Sequence, residues 1–307
     1  MIYTVTLNPA VDHIVRLPAL EKGETNRAVA ESISAGGKGI NVSKILKNLG
    51  ERSIALGFVA GFTGREIERI LRETDKIVSD FIHLQEGFTR INTKIKADRE
   101  TEINGPGPII TQADVNRFME KISEAERGDI VFLSGSIPAS LGDGFYAEIM
   151  KVLQEKQAII VVDTTGEALR KTLPYRPILV KPNVRELEDF FGATIENRAD
   201  IAAYAKKMQD MGARNVIISM GGDGAYFLSE QGDQLFLAAP QGKVIDTVGS
   251  GDSVVAGFVY AWKNGFSLQE AFRFGVCCGS ATAFSDTLAT KEEVDQLYAD
   301  LLGRKNK

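Results

Sequence analysis

Hydrophobic residues in the second half of the chain fall into short unbroken runs, each ending in small or polar residues. Ile130-Val131-Phe132-Leu133 ends in Ser134-Gly135-Ser136, and Ile159-Ile160-Val161-Val162 ends in Asp163-Thr164-Thr165. Ile178-Leu179-Val180 ends in Lys181-Pro182-Asn183, and Val216-Ile217-Ile218 ends in Ser219-Met220-Gly221-Gly222. Runs of β-branched residues without polar alternation predict strands buried on both faces, as in a parallel sheet. Between the runs the apolar spacing becomes helical. Val115, Phe118, Met119 and Ile122 share one face after Thr111; Ile201, Ala205 and Met208 share another before Gly212, a predicted C-terminal cap. Ser267 with Glu270, and Thr290 with Glu293, predict capping boxes that open two later helices. Strand–helix alternation predicts βαβ units in one α/β domain over residues 1–307. Its ligand site would lie beyond the carboxyl ends of the strands, where the polar residues fall.

The first third of the chain alternates instead. Ile91, Thr93 and Ile95 are interleaved with Asn92, Lys94 and Lys96, which predicts a smaller sheet with one open face. We read it as a lid subdomain formed by about residues 12–34 and 88–104. Its apolar face and edges need cover, and pairing of two lids in a homodimer would supply it.

Composition narrows the function classes. The chain has 307 residues, is 44% hydrophobic and 25% charged, and carries a formal charge of -5. That acidity argues against a general nucleic-acid binder, yet a few local cations would still hold an anionic substrate. Cys277 and Cys278 are adjacent in an apolar helical pattern, and His13 and His83 are the sole histidines. Neither a disulfide framework nor a histidine-rich metal centre is available. The N-terminal residues read as a strand rather than a targeting segment, and no apolar stretch is long enough to span a bilayer. A cytoplasmic location is therefore expected.

Two glycine-rich segments carry candidate chemistry. Asp246-Thr247-Val248-Gly249-Ser250-Gly251-Asp252 precedes an apolar helical pattern beginning near Ser250. A helix start beneath a glycine turn offers main-chain N–H groups to an anion. Asp252 beside it would take the proton of an attacking hydroxyl during phosphoryl transfer. The positive helix end would hold the Asp252 carboxyl below its usual range. A plain N-cap at Ser250 or Asp252 accounts for the same residues. The second segment, Ala35-Gly36-Gly37-Lys38-Gly39-Ile40-Asn41-Val42-Ser43, combines close backbone approach, a cation and an amide. A strand-to-helix turn explains it nearly as well. Neither a Walker A motif nor a dinucleotide fingerprint is present, which disfavours an oxidoreductase.

Together, Gly36 to Ser43 and Asp246 to Gly257 resemble the two signatures of the PfkB family of carbohydrate kinases. Between them lie segments similar to two further family motifs, Lys181-Pro182-Asn183-Val184-Arg185-Glu186 and Ser219-Met220-Gly221-Gly222-Asp223-Gly224. The resemblance implies a ribokinase-like fold, a mainly parallel central sheet flanked by helices with a small β-sheet lid. It implies Asp252 as catalytic base and the N–H groups of Gly249, Ser250 and Gly251 as an anion hole. Lys181, Asn183, Glu186 and Ser219 to Gly224 would serve ATP. Asn183 and Glu186 would govern its Mg²⁺, mostly through water; without the resemblance, Glu186 reads as a solvated helix face. Asn8-Pro9-Ala10-Val11-Asp12 is similar to the branch acting on phosphorylated ketohexoses. Sugar-side residues implied are Asp12, Arg27, Gly37, Lys38, Asn41, Arg90, Ser136 and Asp252. Taken alone, Asp12 reads equally as a turn residue after Pro9, and Arg90 as a solvated strand arginine. The implied substrate is fructose 1-phosphate, with tagatose 6-phosphate as runner-up. A non-catalytic sensor on the same scaffold is the alternative from another class.

Overall fold

The computed structural model describes residues 1–303 and places the predicted runs at the centre of a ten-stranded sheet. The strands are β1 (Ile2–Thr6), β4 (Ile54–Ala60), β5 (Val78–Ser79), β6 (Ile82–Leu84), β9 (Ile130–Ser134), β10 (Ile159–Asp163), β11 (Leu179–Val180), β12 (Asn215–Ser219), β13 (Ala225–Leu228) and β14 (Gln234–Leu237). Their spatial order is β14-β13-β12-β11-β10-β9-β1-β4-β5, with β6 also on β4. All pairs are parallel except β12–β13 and β13–β14. The antiparallel end follows from chain length: Met220 to Gly224 is too short for a crossover helix, so the chain turns straight back.

Ten helices among the described residues complete the layers: α1 (Lys38–Asn48), α2 (Gly61–Ile70), α3 (Gln112–Ile122), α4 (Phe145–Glu155), α5 (Gly166–Thr172), α6 (Val184–Phe191), α7 (Arg198–Asp210), α8 (Ser250–Lys263), α9 (Leu268–Ala283) and α10 (Lys291–Gly303). Successive residues of β9 enter opposite cores. Val131 and Leu133 pack with Phe118 and Phe145, while Ile130 and Phe132 pack with Phe258 and Phe272. This two-sided burial explains the runs without polar alternation. The expected capping boxes form at Ser267 and Thr290, the latter through Thr290 N–H to Glu293 Oε2 at 2.8 Å and Glu293 N–H to Thr290 Oγ1 at 3.3 Å, and a further one, not expected, opens α3 at Thr111. Gly212 follows α7 with φ of +131°. No helix among the described residues is long and apolar enough to cross a membrane.

A separate four-stranded sheet has the order β3-β2-β7-β8, from β2 (Ala10–Arg16), β3 (Ala30–Gly36), β7 (Arg90–Lys96) and β8 (Thr101–Asn104). Register places Asp12 beside Asn92 and Ser34, and His13 beside Thr93 and Ile33. Even-numbered positions of β2 and β7 therefore share a polar face containing Asp12, Arg90, Asn92, Lys94 and Lys96. The opposite face carries Val11, Val15, Ile33, Ile91, Ile95 and Ile103. Near the hinge Val11 and Ala35 are covered by the body, but Ile33 and Ile103 are exposed. Asp12 thus lies in a strand, not in a turn after Pro9.

Candidate active site

The segment from Asp246 to Asp252 forms the expected turn and helix start, with Gly249 itself as the N-cap. Gly249 has φ of +78°, and a Cβ there would sit 2.5 Å from Leu288 Cδ2. Only glycine meets both conditions. No side chain caps α8, so neither Ser250 nor Asp252 is an N-cap. Asp252 is the third helical residue, 6% exposed, and its Oδ2 accepts a bond from Asn41 Nδ2 at 2.8 Å. The amides depart from expectation in one respect. Ser250 N–H donates to Thr247 O at 3.2 Å and is spent, whereas those of Gly249 and Gly251 meet no acceptor among the described residues. Of the three amides that the resemblance assigns to an anion hole, two are therefore left for a ligand.

Behind Asp252 stands a buried ion cluster. Asp163, at the end of β10, is 2% exposed. Its Oδ1 lies 3.3 Å from Lys38 Nζ and 3.7 Å from Lys181 Nζ, and its Oδ2 is buried without a partner. Burial pushes the Asp163 carboxyl up, but Lys181 and Lys38 hold it below the usual range. Asp163 in turn raises Lys38. Asp252 moves the other way: burial, then the neighbouring Asp163 charge, push it up to about 6 despite Lys38, Asn41 and Lys181. The expected lowering by the helix end is overturned, because dehydration and a second carboxylate outweigh a partial dipole charge. The result is a carboxyl group that ionises just below neutrality.

Two cavities meet at this cluster. The larger, about 1400 Å³, contains Lys181, Asn183 and Glu186, the Ser219–Gly224 turn and the Gly249–Asp252 turn. The smaller, about 480 Å³, is lined by Asp12, Gly37, Arg90 and Ser136 under the lid. Lys38, Asn41, Glu186 and Val248 line both. Gly36 lets the lid close on itself, since a Cβ there would overlap the Asp12 carboxylate. Asp12 accepts from Asn92 Nδ2 and Lys94 Nζ, each at 3.3 Å. Arg90 is half-buried rather than solvated; its Nε donates to Asn8 O at 3.1 Å, leaving the terminal nitrogens for a ligand. Arg27 is the exception among the predicted residues. It sits in the exposed 21–30 connection beyond the far ends of β2 and β3 and lines neither cavity. The lid strands run away from the hinge, so their connection is carried off the site.

Asn183 and Glu186 form a reciprocal capping box on α6: each backbone N–H donates to the other's side chain at 2.8 Å. The three-residue spacing thus has a structural cause. It leaves Glu186 Oε1 free at the edge of both cavities, so Glu186 is a cap rather than a merely solvated helix position. Among the described residues, no group of three or more His, Cys, Asp or Glu could hold a metal directly. One free carboxylate oxygen suits a hydrated Mg²⁺ arriving with phosphates. Three residues that sequence reasoning left out belong to the site: Asp163, Asn92 and Lys94. An acid directly after a buried strand run was the available signal for Asp163, and alternation on β7 for the others.

Known proteins resemble the chain over nearly its whole length. A 1-phosphofructokinase of Bacillus subtilis (strain 168) is 46% identical over 98% of each chain. A D-tagatose-1-phosphate kinase of Bacillus licheniformis is 39% identical over 98% of each. The structure of Escherichia coli phosphofructokinase-2 in complex with substrates and products superposes with a TM-score of 0.92 at 28% identity, covering 98% of this chain and 99% of that one. The sequence matches the description of a pfkB family carbohydrate kinase over residues 5–293, and the chain belongs to that family.

Proposed function

We propose that this kinase transfers the γ-phosphoryl group of ATP to the 6-hydroxyl of fructose 1-phosphate, giving fructose 1,6-bisphosphate and ADP. The observation that carries the reading is the meeting of the two cavities at Lys38 and Asn41, where Asn41 also holds Asp252 on the wall of the larger one. ATP fits the larger cleft, with its phosphates toward Gly249 and Gly251. The sugar phosphate fits the smaller, with Asp12 accepting from its hydroxyls and Arg90 pairing with its phosphate. Asn41 fixes the Asp252 carboxylate so that it accepts the hydroxyl proton as the oxygen attacks phosphorus. The bond from phosphorus to the β-phosphate oxygen breaks, and the N–H groups of Gly249 and Gly251 stabilise charge on the transferring oxygens. Lys38 and Lys181, held by Asp163, add positive charge there. Mg²⁺, when bound, neutralises the nucleotide phosphates, and Asn183 and Glu186 would hold its water shell.

The Bacillus licheniformis relative favours a second reading, D-tagatose 1-phosphate, over the tagatose 6-phosphate expected as runner-up. It shares the phosphate position and the free 6-hydroxyl with fructose 1-phosphate and differs in configuration at C4. The test offers the protein Mg-ATP with fructose 1-phosphate, tagatose 1-phosphate, fructose 6-phosphate, tagatose 6-phosphate and fructose. The highest kcat/KM is expected for the first, and Arg90→Ala should raise its KM far more than that of ATP. Rejection of both 1-phosphates, or equal KM effects in the variant, overturns the assignment.

The lid also supports a homodimer. Ile33 and Ile103 lie in one cross-strand row through His13 and Thr93 and are 57% and 59% exposed. A second lid covers such a row with both apolar area and strand edges. Light scattering should give a dimer for the wild type and a monomer for Ile33→Glu combined with Ile103→Glu; a monomeric wild type refutes it.

A further inference from the structure

Alternate residues of β7 put Arg90, Asn92, Lys94 and Lys96 on one face, and the first three line the smaller cavity. Lys96 reaches past it. Its Nζ donates to Asp246 Oδ2 at 2.5 Å, with the two side chains 21% and 28% exposed. Among the described residues this is the one ion pair that joins the lid strands to the α/β body. Asp246 begins the turn that ends at Asp252. Its Oδ1 accepts Val248 N–H at 2.9 Å, an Asx turn that sets the backbone just before Gly249. One carboxylate therefore holds the catalytic turn with one oxygen and the lid with the other. Val248, ordered by that bond, lies on the wall of both cavities.

We propose that Lys96 and Asp246 form a latch that couples lid closure over the sugar phosphate to alignment of the Gly249 and Gly251 N–H groups. Both are positioning residues, since neither reaches the transferring group; they act through the turn. With the lid open, Asp246 loses its partner and the turn loosens. Phosphoryl transfer is thereby favoured only when an acceptor is enclosed, which protects ATP from water.

The inference rests on the kinase reading, and its test separates the two. In Lys96→Met and in Asp246→Asn, which keeps the acceptor for Val248 N–H, the KM of the sugar phosphate should rise about five-fold with ATP affinity within about two-fold. The double variant should be no worse than either single one, because both remove the same contact. Lys96→Arg should restore most of the loss. Hydrogen exchange supplies a readout independent of turnover: the amides of 247–251 should exchange faster in Lys96→Met, although the substitution lies on the lid. Additive kinetic losses, or unchanged exchange in that turn, overturn the latch. A wild-type protein inactive on every sugar phosphate would instead overturn the kinase reading, with the exchange result still deciding the latch.

Discussion

Asp252→Asn is expected to lower kcat by about three orders of magnitude while leaving ATP affinity within a few-fold. The amide keeps the size of the side chain and its place on α8, so the nucleotide cleft stays intact. What is lost is the acceptor for the hydroxyl proton. The pH profile of the wild type reports on the same group. Burial and Asp163 push the Asp252 carboxyl up to about 6, so the basic form disappears as pH falls through that value. kcat/KM for the sugar phosphate should therefore drop on the acid side with an apparent pKa near 6, and the limb should be absent from the residual activity of Asp252→Asn. Steady-state kinetics across pH with calorimetric ATP titration tests both. A variant with wild-type turnover removes Asp252 from the chemistry.

Asp163→Asn is expected to have the largest effect on stability. Asp163 is buried between Lys38 and Lys181. Removing its charge leaves two ammonium groups facing each other beside the α8 turn. Breaking a buried ion pair on one side typically costs about 3–5 kcal/mol. The lower end applies here, because the Lys38 side chain is 34% exposed and water relieves part of the cost. The same substitution removes a negative charge beside Asp252, so the acid limb of the pH profile should move to lower pH. Denaturant unfolding and the pH profile together decide the matter. An unchanged limb would mean that Asp163 acts only as a structural ion, and unchanged stability would mean that the cluster is not strained by its loss.

Much of this architecture was visible as pattern. The four apolar runs became β9 to β12 because β-branched residues with no polar partner on either side suit a sheet covered on both faces. The alternation of 90–96 became a lid strand because a half-exposed sheet needs it. Asp246 to Asp252 and Gly36 to Ser43 announced two backbone turns that each open a helix, whereas the cap that Asn183 and Glu186 make on α6 went unread. The site residues that emerged only from folding are those whose role depends on a distant partner. Asp163 reads as an ordinary strand terminus until Lys38 and Lys181, from other elements, close on it. Arg27 reads as a phosphate ligand in the sequence, and the fold puts it in the exposed connection between β2 and β3, on the wall of neither cavity.

The chain's local order was enough to determine the layered α/β class, the helix and turn boundaries near the glycines, and the place of Asp252 as the acid beside a glycine turn. These follow from side-chain periodicity and backbone freedom, which act over a few residues. The ionisation of Asp252, the spent amide of Ser250 and the pairing of Lys96 with Asp246 were decided by the tertiary structure alone. Each depends on charges and acceptors brought together across long stretches of chain, and electrostatic energy in a dehydrated site follows distance in space.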